Sequence, residues 1–335
     1  MKTENHVADV KKNRKNVLNI LVSLMLGGAI LFWMYRDFNF ERVREVLTSE
    51  MSWTWMLLSF PFGIMAQVFR GWRWRQALEP LGEKSRASVR IHAVFLSYAA
   101  SLLIPRSGEF LRCGVLRQKD DVSFPKALGT VMTERAIDTL LVVVIALLTV
   151  TTQFRVFSTF FEETGTSFDA VFHRFTLAGW IVTLICLLAI GGLALLLYRN
   201  NNIKKVLDGI WQGIVSLRGV KNVPLFIAYS LAIWCCYFLH YYLTFFCFDA
   251  TSQLGLGCAL ATFTVGSFAV IVPTPNGAGP WHFAVKTMLI LYGVGETDAL
   301  YFVLIVHSLQ TLLVMALGLY AWVALSVTKR KNLNV

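Results

Sequence analysis

Six charged side chains stand beside apolar stretches of the chain: Arg106, Glu109, Arg112, Glu134, Arg135 and Asp138. A charge at the centre of a bilayer costs at least about 2.5 kcal/mol on insertion scales, so such residues pair with one another or face a polar cavity. Arginine presents a planar fork of N–H donors that matches the oxygens of a phosphate. These residues therefore indicate either ion pairs between helices or a cavity for an anionic or zwitterionic head group.

Helical spacing predicts which of these side chains share a face. Glu109 and Arg112 are three residues apart, and Glu134 and Asp138 are four apart, so each pair lies on one side of its helix. Arg135 is then turned aside. We expect two short elements that present both signs of charge to one place. Arg112→Gln or Glu109→Gln is expected to abolish activity and leave the protein folded.

Membrane helices are the elements that must position these charges. The chain has 335 residues, of which 56% are hydrophobic and 15% charged, with a formal net charge of +11, whereas soluble domains carry about 25% charged residues. This composition excludes a disordered chain, a nucleic-acid-binding domain and an ordinary soluble enzyme. Apolar runs long enough to cross a bilayer occupy 17–35, 53–69, 137–154, 175–198, 224–248 and 299–327.

Two shorter apolar stretches end in residues that stop a helix. The stretch 91–104 is followed by Pro-Arg-Ser-Gly-Glu at 105–109, and 257–272 is followed by a Pro- and Gly-rich segment at 273–280. Non-helical backbone at membrane depth is tolerated where protein buries it or water reaches it, and interrupted segments in both halves of a transporter mark its binding site. The alternative is that both are kinked ordinary spans.

Loop charges predict the topology, because Lys and Arg are enriched in cytoplasmic loops. Basic segments are assigned to the cytoplasm: 1–16, 70–90, 117–126, 199–223 and 329–331. More acidic segments are assigned outside: 36–52, 155–174 and 293–298. The assignment closes only if 91–117 and 257–292 each enter and leave on one side.

We therefore predict a single integral-membrane domain over residues 1–335. It is an all-α polytopic membrane protein with about six full transmembrane helices and two opposed re-entrant helical hairpins, 91–117 and 257–292, broken at 105–109 and 273–280. A basic N-terminus (1–16) lies in the cytoplasm, as does the C-terminus. Apolar residues at helical spacing predict a cytoplasmic interfacial helix within 199–223.

Two further features bear on binding. Arg70-Gly71-Trp72-Arg73-Trp74-Arg75 follows the second apolar run and is either a positive anchor with interfacial tryptophans or a basic collar that gathers anionic lipid heads. His282 follows the second break directly. No metal-ligand spacing, phosphate-binding loop, dinucleotide fingerprint or catalytic triad pattern is present, so we expect neither a metal nor a cofactor.

Four ordered motifs resemble the flippase-like family named for the membrane region of lysylphosphatidylglycerol synthases. They are Arg70-x-x-Arg73-Trp74, Pro105-Arg106-x-Gly108-Glu109-x-x-Arg112, Glu134-Arg135-x-x-Asp138 and Pro273-x-Pro275-x-Gly277-x-Gly279. The resemblance implies a helical bundle with re-entrant elements in the bacterial cytoplasmic membrane, which moves or handles a polar lipid. It departs from the family at His282, where a glutamate often stands, and in lacking a soluble aminoacyl-transferase domain, so lysyl transfer is not expected.

The leading hypothesis is a lipid flippase or transporter without a covalent step. Its predicted substrate is an anionic or zwitterionic phospholipid head group, or a polyprenyl phosphate, and no nucleic acid. Arg70 and Arg73 would guide the head group in, Arg106 and Arg112 would neutralise its phosphate, and the carboxylates would set geometry or accept an amine. The complete predicted binding set is Arg70, Arg73, Arg106, Glu109, Arg112, Glu134, Arg135, Asp138, Pro275, Asn276, Gly277, Gly279 and His282.

Two alternatives remain open. One is an integral-membrane transferase with a polyprenyl-phosphate-linked donor, in which Glu109, Glu134 or Asp138 acts as a base. The other is an accessory subunit that presents lipid to a separate lipid-modifying enzyme. New covalent lipid species would favour the first, and a stoichiometric partner would favour the second.

Overall fold

The fold is described from a computed structural model. It describes residues 40–163, 201–272 and 274–330, together with five isolated positions before residue 40. Every regular element in these ranges is helical. The predicted spans at 17–35 (apart from those isolated positions) and 175–198, and the basic N-terminus, lie outside the described residues, as does Pro273.

The helices are numbered in chain order within the described ranges. They are α1 (Phe40–Glu45), α2 (Trp53–Leu78), α3 (Ala87–Leu103), α4 (Ser107–Asp120), α5 (Phe124–Thr152), α6 (Phe154–Glu163), α7 (Asn201–Val215), α8 (Val223–Tyr242), α9 (Asp249–Ser252), α10 (Leu256–Ala269), α11 (Pro280–Leu291) and α12 (Glu296–Val327). A π-helical turn follows α1 over Val46–Glu50, and a 3₁₀ turn extends α8 over Leu243–Cys247.

Three helical segments within the described ranges are long and apolar enough to cross a membrane: Phe124–Thr152, Val223–Cys247 and Glu296–Val327. They contain nearly all of the apolar runs predicted at 137–154, 224–248 and 299–327. The chain is therefore a multi-pass membrane protein, and the total number of spans stays a prediction.

The apolar run 53–69 belongs to a longer helix than expected. Helix α2 continues for 26 residues to Leu78, because Gly82, at φ 75°, is the first residue after the run whose backbone turns out of a right-handed helix. The segment beginning at Arg70 is therefore not a loop. It forms the last turns of α2, so its arginines point to fixed sides of a helix.

The segments predicted to be cytoplasmic, so far as they are described, meet at one end of the bundle, which we call the basic end. Arg86, before α3, pairs with Asp120 of α4 at 2.7 Å and donates to the carbonyl of Lys329 at 3.0 Å. Lys126 of α5 pairs with Glu83 at 3.1 Å. The loop-charge argument therefore grouped these segments correctly, while the membrane side that they face stays a prediction.

The segments predicted to be external meet at the opposite end. The amide of Ser52 donates to the carbonyl of Cys247 at 2.9 Å. The Tyr292 hydroxyl donates to Oε1 of Gln153 at 3.0 Å. Within the described ranges, the chain therefore alternates between the two ends in the order that the loop charges predicted.

Helices α3 and α4 form a hairpin whose two bases lie at the basic end. Its turn is short, because Ile104 directly follows the last residue of α3 and Arg106 directly precedes α4. Arg106 has a left-handed conformation at φ 63°. A Cβ on Gly108 would lie 1.9 Å from the carbonyl oxygen of Ser97, so only glycine allows this approach. The observed turn, residues 104–106, overlaps the predicted break at 105–109 and begins one residue before it.

Helices α10 and α11 form the second hairpin, which starts from the opposite end. Its turn contains three residues at positive φ: Asn276 (53°), Gly277 (72°) and Gly279 (89°). Two of them are glycines, which adopt this conformation without a steric cost, and asparagine tolerates it. The predicted break at 273–280 therefore coincides with most of the turn between Ala269 and Pro280.

Helix α12 contacts both hairpins. A Cβ on Gly318 would lie 2.2 Å from that of Ala99 near the tip of the first hairpin, and Asn276 in the turn of the second donates to Thr311 Oγ1 at 2.7 Å. Seven residues separate these positions on α12, or about 10 Å along a helix axis. The two hairpins thus approach each other from opposite ends of the bundle. Their re-entrant placement in a bilayer stays a prediction.

The segment predicted as an interfacial helix packs closely on α5. A Cβ on Gly129 would lie 2.1 Å from the carbonyl oxygen of Ile210, and one on Gly213 would lie 2.4 Å from that of Lys126. Small residues at a crossing allow two backbones to approach each other. Helix α7 therefore braces the half of α5 near the basic end.

Candidate functional site

Asp138 is the anion between two arginines of α2. Its Oδ2 accepts from Arg70 Nη1 at 2.6 Å, and its Oδ1 accepts from Arg73 Nη2 at 2.8 Å. The two arginines are three residues apart and share a helix face. Arg73 also donates to Ser230 Oγ of α8 at 3.1 Å. All three charged residues are at most 5% exposed, so one carboxylate joins α2 to α5 in the interior.

A second buried pair joins α4 to α5. Arg112 Nη2 donates to Glu134 Oε2 at 2.7 Å, and each side chain is 1% exposed. The Arg112 guanidinium lies 4.7 Å from the centre of the Trp74 ring, a distance at which a cation is attracted to the aromatic face. Trp74 Nε1 donates in turn to Thr130 Oγ1 at 2.9 Å. The ring position is therefore fixed from both sides.

Arg135 completes the site, contrary to the expectation that it is turned aside. It pairs with Glu109 at 2.8 Å and lies 3.9 Å from Asp138. Arg135 and Asp138 are three residues apart and are therefore neighbours on one side of α5, which the expectation left out. We refer to the seven residues as the arginine–carboxylate cluster: Arg70, Arg73, Glu109, Arg112, Glu134, Arg135 and Asp138.

The positions of Arg70 and Arg73 correct their predicted setting. The sequence suggested a surface anchor or a collar at the inner leaflet, and both side chains are instead at most 2% exposed and bonded to Asp138. Because α2 continues past residue 69, these arginines lie on its inner face. Arg75, two residues closer to the helix end than Arg73, is the exposed arginine of this segment, with 63% of its side chain accessible.

Arg106 lies apart from the cluster. It is exposed at the turn of the first hairpin, and it forms no ion pair with any residue that the structure describes. Leu103 and Phe110 beside it are 75% and 58% exposed. The expectation that Arg106 and Arg112 act together on one phosphate is therefore not met in this conformation, because the turn directs Arg106 away from the helix interface.

The predicted residues of the second hairpin form a separate, uncharged group. The side-chain Nδ2 of Asn276 donates to Thr311 Oγ1, and the backbone carbonyl oxygen of Asn276 lies 3.1 Å from Nε2 of His307. His282 is 3% exposed, its Nδ1 accepts from the Gly279 amide at 3.4 Å, and its ring centre lies 4.5 Å from that of His307.

Pro275 and Gly277 form the turn itself, so they shape the backbone of the hairpin. The polar side chain of this turn, Asn276, bonds α12 rather than the cluster.

Several partners in the cluster carried no signal in the sequence. Tyr98 and Tyr237 share a hydrogen bond of 2.7 Å, and the Arg70 guanidinium lies 6.0 Å from the Tyr98 ring centre. Neither tyrosine stands near a charged residue in the chain. Trp74, next to Arg73, was the one partner that a motif marked. Among the described residues, no group of three His, Cys, Asp or Glu side chains is placed to hold a metal ion.

Comparison with known proteins bears on the whole chain. Searches of curated proteins and of solved structures find no significant match. The family model for the lysylphosphatidylglycerol synthase transmembrane region matches residues 17–318, which include every member of the arginine–carboxylate cluster and the turns of both hairpins. The chain therefore belongs to the lysylphosphatidylglycerol synthase transmembrane-region family.

Proposed function

We propose that the protein moves a phosphate-bearing lipid between the leaflets of the membrane and that the arginine–carboxylate cluster holds the lipid head group during passage. The observation that carries this proposal is a buried excess of guanidinium donors inside a multi-pass bundle. Family membership supports a role in membrane lipid chemistry, and the cluster supports the more specific step.

The charge balance of the cluster favours an anion. It contains four arginines against three carboxylates, an excess of one positive charge. A buried charge without a counter-charge costs several kcal/mol. A bound phosphate would supply the missing negative charge and would lower the cost of keeping the arginines in the interior.

Unpartnered hydrogen-bond groups point the same way. Within the part of the chain that the structure describes, the buried Nε atoms of Arg70, Arg73 and Arg112 and Nη1 of Arg112 have no hydrogen-bond partner, against one unpartnered carboxylate oxygen in the cluster, Oε1 of Glu134. Leaving a buried polar group unsatisfied costs about 1–3 kcal/mol. A ligand rich in acceptor oxygens fits this surplus of donors, and phosphate is such a ligand.

The first hairpin offers a path from lipid to the cluster. On α4, Phe110 is 58% exposed while Arg112, two residues further, is 1% exposed. One short helix therefore separates an apolar surface from the buried charges. The acyl chains of a lipid would stay against the apolar surface while its head group reaches the arginines.

The same geometry counts against a transferase. A general base needs a carboxylate free to take a proton, yet Asp138 receives two arginines and Glu134 receives one. Glu109, with 32% of its side chain exposed, is the member best placed to act as a base. Mass spectrometry of membrane lipids with and without the protein tests this alternative, since new covalent species would require it.

Reconstitution into proteoliposomes with head-group-labelled lipids tests the proposal. The informative variant is Arg112→Gln with Glu134→Gln, because neutralising both partners avoids the buried unpaired charge that a single substitution leaves. We expect lipid movement to fall to the rate of empty vesicles. Arg117→Gln, on the exposed face of the same helix, is the matched control and should retain activity. Wild-type rates in the double variant would refute the role of the cluster.

A further inference from the structure

A cavity of about 400 Å³ lies at the basic end, outside the arginine–carboxylate cluster. It is enclosed by the end of α2, the start of α3 and the segment that leads into α8. Its polar lining residues are Arg75, Gln76, Glu79, Arg90, Lys221 and Asn222. Trp72 and Tyr229 line its aromatic side, with ring centres 6.0 Å apart.

The charges of the cavity select for an anion. Three cations line it, Arg75, Arg90 and Lys221, against the single carboxylate of Glu79. That carboxylate already pairs with Arg75 at 2.5 Å. The lining therefore carries an excess of two positive charges and keeps no free carboxylate for an amine. A zwitterionic head group would find no free carboxylate for its positive part here.

Arg90 is fixed with part of its guanidinium unused. It is 3% exposed, its Nε donates to the Gly71 carbonyl at 3.1 Å, and its Nη1 is bonded to Ser85. Its Nη2 donates to no residue in the described part of the chain, although the side chain lines the cavity. A guanidinium held through two of its nitrogens with the third unused is preorganised for an incoming acceptor.

Gln76 supplies an independent sign that a ligand is missing. Both Nε2 and Oε1 of its amide are buried without a hydrogen-bond partner among the described residues, and the residue lines the same cavity. An amide of this kind destabilises the folded chain unless something bonds to it. A head group with both phosphate oxygens and hydroxyls would satisfy both atoms, since the oxygens accept from Nε2 and a hydroxyl donates to Oε1.

We propose that this cavity is a second binding site, which takes the anionic, phosphate-bearing head group of a membrane lipid before that lipid reaches the cluster. The aromatic side formed by Trp72 and Tyr229 favours a lipid over a soluble anion, since these side chains suit the level of the head groups in a bilayer. The inference rests on the proposed function for the step that follows binding, and the binding itself is tested separately.

Binding of dioctanoyl phosphatidylglycerol to the purified full-length protein, measured by microscale thermophoresis, tests the site. Dioctanoyl phosphatidylcholine and inorganic phosphate are the comparison ligands. We expect phosphatidylglycerol to bind more tightly than either. Inorganic phosphate binding as tightly as the lipid would assign the cavity to a soluble anion and overturn the lipid assignment.

The decisive variant is Arg75→Gln with Lys221→Gln, which removes two exposed cations from the lining. We expect affinity for the anionic lipid to fall about tenfold or more, while affinity for phosphatidylcholine stays unchanged. The matched control is Arg117→Gln with Arg330→Gln, which removes two exposed cations at the same end but outside the cavity. An equal loss in both double variants would show attraction by the whole end and would overturn the site.

Gln76→Leu probes the cavity without altering charge. Because its amide has no partner among the described residues, an apolar side chain of similar size should not lower the thermal midpoint, yet it should weaken lipid binding. Binding equal to that of the wild type would remove Gln76 from the site.

Transport assays separate this inference from the proposed function. Protein that binds the anionic lipid through the cavity but moves no lipid would refute transport and leave the site standing. Protein whose lipid selectivity in transport survives the loss of Arg75 and Lys221 would refute the site and leave transport standing.

Discussion

The two hairpins solve the same geometric problem with different chemistry. Each reverses the chain in a turn that holds a non-glycine residue at positive φ, Arg106 in the first and Asn276 in the second. The first hairpin attaches to its neighbours by ion pairs such as Arg112 to Glu134. The second attaches by neutral hydrogen bonds such as Asn276 to Thr311.

This difference predicts different roles for the two halves of the bundle. Charged groups in a low-dielectric interior interact strongly and are costly when unpaired, whereas neutral hydrogen bonds contribute about 1 kcal/mol and break at small cost. We expect the first hairpin to hold a charged ligand and the second to contribute a closing surface. Three pairs of substitutions, one member in each half of the bundle, measure the contrast.

The largest contrast is expected between Glu134→Gln and Thr311→Val, each of which removes a partner of one hairpin. Loss of the Glu134 charge leaves Arg112 of the first hairpin buried without its anion, which should destabilise the protein by about 3–5 kcal/mol. Loss of the Thr311 hydroxyl removes one neutral hydrogen bond from Asn276 of the second hairpin and should cost about 1 kcal/mol. Thermal unfolding in detergent compares the two. Equal costs would mean that water or an ion reaches Arg112, and the contrast between the hairpins would fail.

A smaller contrast is expected between Gly108→Ala and Gly266→Ala, which probe how tightly each hairpin is closed. A Cβ on Gly108 would meet the backbone of Ser97 at 1.9 Å, whereas one on Gly266 would meet the tip of the Trp281 ring at 2.8 Å. Backbone cannot yield as a side chain can, so we expect about 3 kcal/mol at the first site and about 1 kcal/mol at the second. Unfolding midpoints that rank the other way would show that the second hairpin is the more rigid one.

The smallest contrast concerns the turns, where Gly substitution should have opposite signs. Arg106→Gly removes a positive-φ strain of about 1–2 kcal/mol and adds unfolded-state freedom worth up to about 1 kcal/mol, so slight stabilisation is expected. Asn276→Gly relieves less backbone strain, because asparagine tolerates this conformation. It also loses the hydrogen bond to Thr311. Slight destabilisation is expected there. Shifts of the same sign in both would mean that backbone strain does not distinguish the turns.

Much of the fold could be predicted because its signals are local. Proline and glycine at 105–109 and 273–280 located both hairpin turns, since these residues act on the backbone where they stand. The excess of Lys and Arg in loops grouped the segments by end. Spacing alone placed Glu134 and Asp138 on one helix face, and both carboxylates accept from buried arginines.

The remaining features depend on contacts between distant segments. The pairing of Arg70 and Arg73 with Asp138 joins positions 65 and 68 residues apart, and no local pattern encodes it. Arg135 was misplaced although its three-residue spacing from Asp138 makes the two residues neighbours on the helix, and its pairing with Glu109 exists only once α4 and α5 meet. The close crossing at Gly129 and Gly213 likewise exists only once α5 and α7 meet.

The sharing of the Asp138 carboxylate by Arg70 and Arg73 has a consequence for how the sequence can evolve. A lineage that loses Asp138 alone keeps two buried cations without a counter-ion, and one that loses Arg70 and Arg73 keeps a buried anion in the same state. Loss of the carboxylate alone, or of both arginines together, therefore passes through an unstable intermediate. We expect Asp138 to change among related sequences only together with Arg70 and Arg73, so covariation in an alignment would record the shared ion pair.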